Sequence, residues 1–401
     1  MFIMIRFYLI LIFFLISLLS FSKAPEYHLW LLAIGVTEFP LVFAGITALL
    51  TISGIWVQKY QPAGTVLGLI TLIIFLSPIV RAYWVAKDIE RELVKSFINT
   101  SGPNSPVLFS SYTPFSFWSL FNRAEDVPYK TLTYVKYADT SMAMDFYQAK
   151  PFNQASLSPR IDLPEVPSDK RPCVIVVHGG SWAGGDSKQV PELNSYLATK
   201  GYNVAAINYR LAPKYQTPAP VEDIKNAIAY LKQHADELHV DTNNFVLLGR
   251  SAGAQIALLA AYTIHEPDLK GVIDFYGPVD MVWGYSIPSS PLIMDSRKVM
   301  GDYVGGTYKQ VPQKYFDCSP IEFVSRQSVP TLIIHGSNDV LVSPEHSRRL
   351  NLKLQQNGIK HYWLKLPWAT HGFDYNLNGP GGQLSTFAVE TFLNTVCPPA
   401  P

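Results

Sequence analysis

Residues 245–261 read FVLLGRSAGAQIALLAA, and the reading of this stretch decides the fold. Phe245-Val246-Leu247-Leu248 is a short apolar run with strand character, and Gln255 to Ala261 has helical composition. Between them lies Gly249-Arg250-Ser251-Ala252-Gly253, a G-x-S-x-G pentapeptide at a strand-to-helix junction. That context makes it a candidate nucleophile elbow. A serine held there needs a strained backbone, and small neighbours let the turn close and a substrate approach. Taken alone the pentapeptide arises often by chance, and a loop with a helix-capping serine fits it equally well. The rest of the chain has to supply the partners that catalysis requires.

Acyl transfer by serine needs a base, a carboxylate to orient the base, and amide donors for the oxyanion. His178-Gly179-Gly180-Ser181-Trp182 follows the apolar run Cys173–Val177. Glycines after a strand let backbone N–H groups point into a site. The expected oxyanion donors are the amides of Gly180, Ser181 and Ala252, with Gly179 as a further candidate. His178 is read as holding this loop rather than moving protons. Asp339, in His335-Gly336-Ser337-Asn338-Asp339, follows the apolar run Thr331–Ile334 and is the expected carboxylate. Asp280, after the preceding strand, is the fallback. His371, in Thr370-His371-Gly372-Phe373, follows the last expected strand and is the expected base. The remaining histidines flank helices, open a strand, or belong to the acid loop and the N-terminal region. No two of them have H-x-x-x-H spacing beside an acidic residue, so no metal site is expected.

Outward from the elbow, strands and helices alternate. YKTLTYVKY (129–137) and MAMDFYQ (142–148) read as a hairpin around a turn at 138–141. Further strands are expected at 173–177, 204–208, 271–276, 331–334 and 362–366. Helices are expected at 190–200, 221–234, 344–357 and 382–396. This order implies a mostly parallel, right-handed, doubly wound sheet led by an antiparallel hairpin. Residues 281–316 have weak periodicity and many Pro, Gly, Tyr and Ser residues, and are expected to form an inserted lid. The stretch 151–172 reads as a polar, proline-rich surface connection.

The N-terminal region has a different composition. Of 401 residues only 16% are charged, and the apolar excess is concentrated before residue 87. Mean hydropathy over the whole chain is +0.12. Phe2–Phe21, Leu29–Val57 and Gly64–Val80 are each long enough for a transmembrane helix, with Tyr83-Trp84 as an interfacial belt. A cleaved signal peptide is the other reading of the first. Glu38 and Pro40 interrupt the second, so Glu38 is either an intramembrane carboxylate, a group near the interface, or part of a break. Arg81, Lys87, Arg91 and Lys95 follow the third segment and Lys23 the first, against Arg6 and Lys59 on the other side. The positive-inside rule therefore puts the large C-terminal part in the cytoplasm. The expected organisation is a transmembrane region over 1–86, a juxtamembrane helix and aromatic linker over 87–128, and a catalytic domain over 129–401. Residues 86–98 read as an amphipathic helix on the membrane or as the solvated end of the third span. Asn99-Thr100-Ser101 is a glycosylation sequon, relevant only on a lumenal side.

A net charge of +1 gives no case for a nucleic-acid partner. Cys173, Cys318 and Cys397 are widely spaced and form neither a disulfide framework nor a C-x-x-C site.

Residues from about 129 to 396 resemble the α/β-hydrolase family. More narrowly they are similar to hormone-sensitive-lipase-like and bacterial feruloyl-esterase-like carboxylesterases. The residues that carry this are Asn208-Tyr209-Arg210-Leu211-Ala212-Pro213, Glu222-Asp223, Phe275-Tyr276-Gly277-Pro278 and Thr370-His371-Gly372-Phe373. The order Ser251, Asp339, His371 is that family's order. The lipase branch usually has H-G-G-G where this chain has H-G-G-S-W. The latter looks more like small-ester esterases, arylformamidases and the membrane-bound isoprenylcysteine methylesterases. The resemblance implies a serine carboxylesterase without a cofactor, acting on small-molecule esters; the expected membrane tether suggests substrates that partition into the bilayer, with lipid-like or prenylcysteine esters as candidates. An arylformamidase-like amidase and a non-catalytic hydrolase-fold receptor or scaffold are the alternatives.

Overall fold

The core is an eight-stranded sheet whose side chains divide between two helical layers. The computed structural model describes residues 2–56, 61–97, 113–150 and 170–399. The sequon at 99–101, residues 101–112 of the aromatic linker, and residues 151–169 of the polar connection lie outside them.

The strands are β1 (Tyr129–Lys136), β2 (Ser141–Tyr147), β3 (Arg171–Val177), β4 (Asn203–Ile207), β5 (Val240–Arg250), β6 (Leu269–Phe275), β7 (Thr331–Gly336) and β8 (His361–Leu366). Their spatial order is β1-β2-β4-β3-β5-β6-β7-β8. β1–β2 and β2–β4 pair antiparallel, and all other pairs are parallel. In β3 and β5 every side chain from Cys173 to Val177 and from Phe245 to Leu248 is buried. Such uninterrupted apolar runs suit strands covered on both faces.

Alternation along those strands assigns the layers. Cys173, Ile175, Val177, Phe245 and Leu247 face one cluster with α6 (Ala219–Gln233), α7 (Ala252–Thr263) and α11 (Glu345–Gln356). Val174, Val176, Val246 and Leu248 face the other with α5 (Pro191–Thr199) and α12 (Pro380–Val396). The 281–316 insertion forms three short helices, α8 (Met281–Ser286), α9 (Ser296–Val304) and α10 (Pro312–Asp317). All three cysteines are buried free thiols.

The N-terminal region departs from three simple spans. Among the described residues one helix, Pro62–Phe97, is by itself long and apolar enough to cross a membrane. It lies within α4 (Gln61–Phe97), which runs through the expected boundary at residue 86 without a break. Its last turns are amphipathic, with Lys87, Asp88, Glu90, Arg91 and Lys95 exposed on the outer face. Ala82, Ile89, Leu93 and Phe97 are buried against the α5–α12 layer. Apolar residues at a helical spacing of three to four commit that face to the sheet.

The first apolar segment gives α1 (Phe2–Ser17), at 16 residues shorter than the roughly 20 needed to cross a bilayer. The second is broken. α2 (Tyr27–Glu38) and α3 (Pro40–Ile52) meet at an angle of 87°. Pro40 opens α3, and proline cannot continue the preceding helix's hydrogen bonding. Only taken together do α2 and α3 match one span. α3 packs on α1 and α4. Arg6, buried in α1, donates from Nε to Leu50 O at 2.9 Å and from Nη2 to Thr51 O at 3.0 Å. The guanidinium thereby adds donors to carbonyls in the last turn of α3, where the helix dipole favours a cation.

Candidate active site

The elbow forms because three backbones meet where only glycine fits. Ser251 has φ 54° and ψ −121° between β5 and α7. Its N–H donates to Phe275 O at 2.9 Å, which ties the turn to β6. A Cβ on Gly249 would lie 2.4 Å from Ala254 Cα, and one on Gly253 would lie 2.3 Å from both Val177 O and His178 O. Those glycines let strand, turn and helix close around a serine in a strained conformation.

His371, after β8, brings Nε2 to 3.0 Å from Ser251 Oγ. Its Nδ1 is 2.7 Å from Asp339 Oδ2. A carboxylate only accepts, so Nδ1 carries the proton and Nε2 presents its lone pair to the serine hydroxyl. Asp339, after β7, is held on both oxygens. Oδ1 accepts from the N–H groups of Leu341 and Val342 at 2.9 Å each, and Oδ2 also meets His335 Nε2 at 3.1 Å. Burial pushes the Asp339 carboxyl up, but the charge of His371 and the hydrogen bonds from His335 and His371 more than reverse it. Its affinity for a proton falls below the usual carboxylate range, so it stays ionised beside the imidazole. The three side chains thus form a chain suited to removing a proton from Ser251 and returning it to a leaving group.

The fallback acid is committed elsewhere. Asp280 caps α8 through Trp283 N at 2.8 Å and pairs with Arg349 Nη2 at 2.7 Å.

The loop after β3 has three successive residues in the left-handed region: Gly180 at φ 119°, Ser181 at 54° and Trp182 at 60°. Four amides were expected as oxyanion donors, and one is occupied. Gly179 N donates to Gln189 Oε1 at 2.7 Å. The amides of Gly180 and Ser181 have no backbone acceptor among the described residues. Ala252 opens α7, where the first N–H groups lack intrahelical partners. His178 stacks on Tyr209 at 4.3 Å, and Tyr209 Oη donates to His178 O at 3.1 Å. Burial lowers the His178 imidazole's affinity for a proton, in keeping with a neutral structural ring. Trp182 stacks on Tyr303 at 4.7 Å and donates from Nε1 to Gln255 Oε1 at 2.8 Å. That pins the loop to α7 and to the insertion. Arg210 and Asp223, two of the quoted motif residues, pair at 2.9 Å and act as scaffold.

Beneath the elbow, Arg250 Nε donates to Asp374 Oδ2 at 2.5 Å, and Tyr276 Oη donates to Asp374 Oδ1. The Tyr276 ring lies 4.3 Å from His371.

Two cavities meet at Ser251. One, of about 500 Å³, is walled by Trp182, Ile287, Ile293, Met294, Met300 and Leu341, with Lys23, Ala24 and Pro25 at its edge. The other, of about 240 Å³, is lined by Tyr27, Trp30, Gln189, Tyr276, His371 and Tyr375. Residues of the 281–316 insertion thus line the larger cavity beside Ser251. The N-terminal contribution was not expected. Trp30 Nε1 donates to His371 O at 3.1 Å, and Tyr27 N donates to Leu292 O at 3.1 Å. Its only sequence signal is the Glu38-Phe39-Pro40 break, which separates α2 from the apolar run. Among the described residues no cluster of metal-ligating side chains is present.

Residues 160–354 match the BD-FAE family model. Esterase LipC of Mycobacterium tuberculosis is 32% identical over 247 residues, covering 58% of this chain and 60% of that protein. The probable carboxylic ester hydrolase LipM of the same organism is 29% identical over 238 residues, covering 56% and 54%. The matches thus span somewhat over half the length of these relatives. The propionate-bound esterase Est2 of Thermogutta terrifontis superposes with a TM-score of 0.52 at 22% identity, covering 68% of this chain and 96% of that one. The carboxylesterase EstE1, cloned from a metagenomic library, gives 0.55 at 20% identity, covering 69% and 92%. The fold is that of the α/β-hydrolases.

Proposed function

We propose that this chain is a membrane-anchored serine carboxylesterase. His371 takes the proton from Ser251 as Oγ attacks the ester carbonyl, and Asp339 holds the imidazole in the required tautomer. The amides of Gly180, Ser181 and Ala252 receive the tetrahedral oxyanion. His371 then protonates the leaving alcohol, and water attacks the acyl-enzyme with His371 again as base. The observation that carries this reading is the pair of contacts at 3.0 and 2.7 Å linking Ser251, His371 and Asp339 on a strained elbow. The mycobacterial relatives named as esterases point the same way.

Anchoring rests on the apolar surface of α4, where Ile73 is 71% exposed, followed by exposed Tyr83 and Trp84 beside Lys87. A lone exposed apolar residue means little, but a row of them along a helix of this length fits a bilayer. Arg81 Nη2 donates to Ser20 O at 2.6 Å, so the basic end of α4 lies level with the α1–α2 turn that carries Lys23. This clustering favours a cytoplasmic catalytic domain. The apolar walls of the larger cavity favour esters with an apolar tail and a small polar remainder, as in lipid-like or prenylcysteine esters. Hydrolysis of a short p-nitrophenyl ester, compared between wild type and Ser251→Ala, tests the assignment. Unchanged turnover in the variant overturns it.

A further inference from the structure

α2 meets the segment carrying His371 along one face, once per turn. Trp30, Ile34 and Glu38 are spaced i, i+4 and i+8, so they stack on the same side of the helix. Trp30 donates its indole N–H to His371 O at 3.1 Å. Ile34 Cδ1 lies 3.3 Å from where a Cβ of Gly372 would stand. Glu38 Oε2 accepts from Gly381 N at 2.8 Å, and Glu38 O accepts from Asn376 Nδ2 at 2.7 Å. Glu38 is 1% exposed and sits against the first turn of α12, where unpaired amides favour a carboxylate.

The segment held this way has little regular structure. His371 lies between β8 and a single 3-10 turn at Phe373–Tyr375, and Gly372 takes φ 82°. Among the described residues, Trp30 supplies the one donor to the His371 carbonyl. The catalytic geometry requires both imidazole nitrogens to stay within hydrogen-bond reach of their partners, and small misplacements are costly there. At its other end α2 turns through 87° into α3, which packs in the apolar bundle.

We propose that α2 is a positioning element for the catalytic base. Trp30 fixes the His371 backbone, Glu38 fixes the far end of the same loop, and the apolar N-terminal bundle is thereby a working part of the active site. The inference rests on the esterase reading. It is tested on the full chain in detergent with Trp30→Phe, which removes the N–H and keeps an aromatic ring. Leu31→Ala, on the exposed face of α2, is the control. The readouts are kcat and KM for a short p-nitrophenyl ester, the rate of labelling by a fluorophosphonate, and the thermal midpoint.

Trp30→Phe is expected to lower kcat and the labelling rate by about tenfold or more, with KM within about twofold of wild type. Loss of packing alone would lower the folded fraction and leave kcat per labelled site unchanged. Glu38→Gln keeps an acceptor for Gly381 N and is expected to retain activity, whereas Glu38→Leu is expected to follow Trp30→Phe. Should Trp30→Phe fail to fold, Glu38→Leu carries the same test from the other end of the loop. Wild-type kcat and labelling rate in Trp30→Phe, or in Glu38→Leu where that variant stands in, overturn the positioning role while the esterase reading stands. A wild-type chain that neither labels nor hydrolyses overturns the esterase reading and this inference with it.

Discussion

Replacing Asp339 by asparagine changes one oxygen to an amide nitrogen, and the surroundings decide which one. Oδ1 accepts from two backbone N–H groups, those of Leu341 and Val342, at 2.9 Å each. An asparagine that put its NH2 there would oppose two buried donors, at about 1–3 kcal/mol for each group left unpaired. The side chain is therefore forced to keep its oxygen toward those amides. Its NH2 then faces His371 Nδ1, which Asp339 Oδ2 meets at 2.7 Å. A donor at that position obliges Nδ1 to accept, so the proton moves to Nε2, 3.0 Å from Ser251 Oγ. The ring then presents N–H where a lone pair is needed. In the chymotrypsin-type triad the corresponding Asp→Asn replacement, through the wrong tautomer, lowers kcat by about 10⁴-fold, equivalent to roughly 5 kcal/mol of barrier. The assay is initial-rate hydrolysis of a short p-nitrophenyl ester by Asp339→Asn, normalised to folded protein, with KM measured alongside. A kcat within about tenfold of wild type would refute the tautomer argument.

Three further outcomes follow from the same contacts. Asp339 has a folded-state proton affinity below its unfolded value, so its contribution to stability is present above about pH 4 and is lost as pH falls further. Asp339→Asn should flatten that acid limb in thermal melts, and an unchanged limb would contradict it. Burial pushes the Asp274 carboxyl up to about 7, against the opposing Gly277 N–H and His335 charge. The folded state then holds this proton more tightly than the unfolded one, so stability falls as pH rises from about 4 to 7. Asp274→Asn should remove that decline, and equal slopes in both proteins would contradict the assignment. Gly253→Ala would set a Cβ 2.3 Å from two carbonyl oxygens of the backbone, which cannot move aside as a side chain can. It should cost several kcal/mol, on the order of 3, and abolish fluorophosphonate labelling; a stable, fully labelled variant would show the elbow to be looser than described.

The hydrolase part was legible because its signals are local. Each of Ser251, Asp339 and His371 follows an apolar strand within a few residues, and the alternation of strands and helices fixed their order. The scaffold roles of Tyr209, Arg210 and Asp223 were visible only as motif residues, since their contacts join separate elements. The disposition of Gly179 was not legible. Whether its amide is free depends on Gln189, ten residues away in a loop without regular pattern.

The N-terminal region was legible only in part, for a physical reason. Hydropathy registers apolar side chains without saying whether lipid or protein covers them. The Leu29–Val57 run therefore read as a span, although Trp30 and Ile34 are buried against the hydrolase domain. Trp30 and Glu38 find partners more than 330 residues away, at His371 and Gly381. Nothing local to them encodes that distance. In α4 the fall in hydropathy after Val80 marked a change of environment rather than the end of the helix, which continues to Phe97.

The central claim is that Ser251 is the nucleophile of an ester hydrolase. Its most direct measurement is mass spectrometry of the full chain after fluorophosphonate treatment, paired with ester hydrolysis by wild type and Ser251→Ala. The expected result is one adduct on Ser251 in wild type, with neither adduct nor turnover in the variant. An adduct on another residue, or hydrolysis by Ser251→Ala at the wild-type rate, would contradict it.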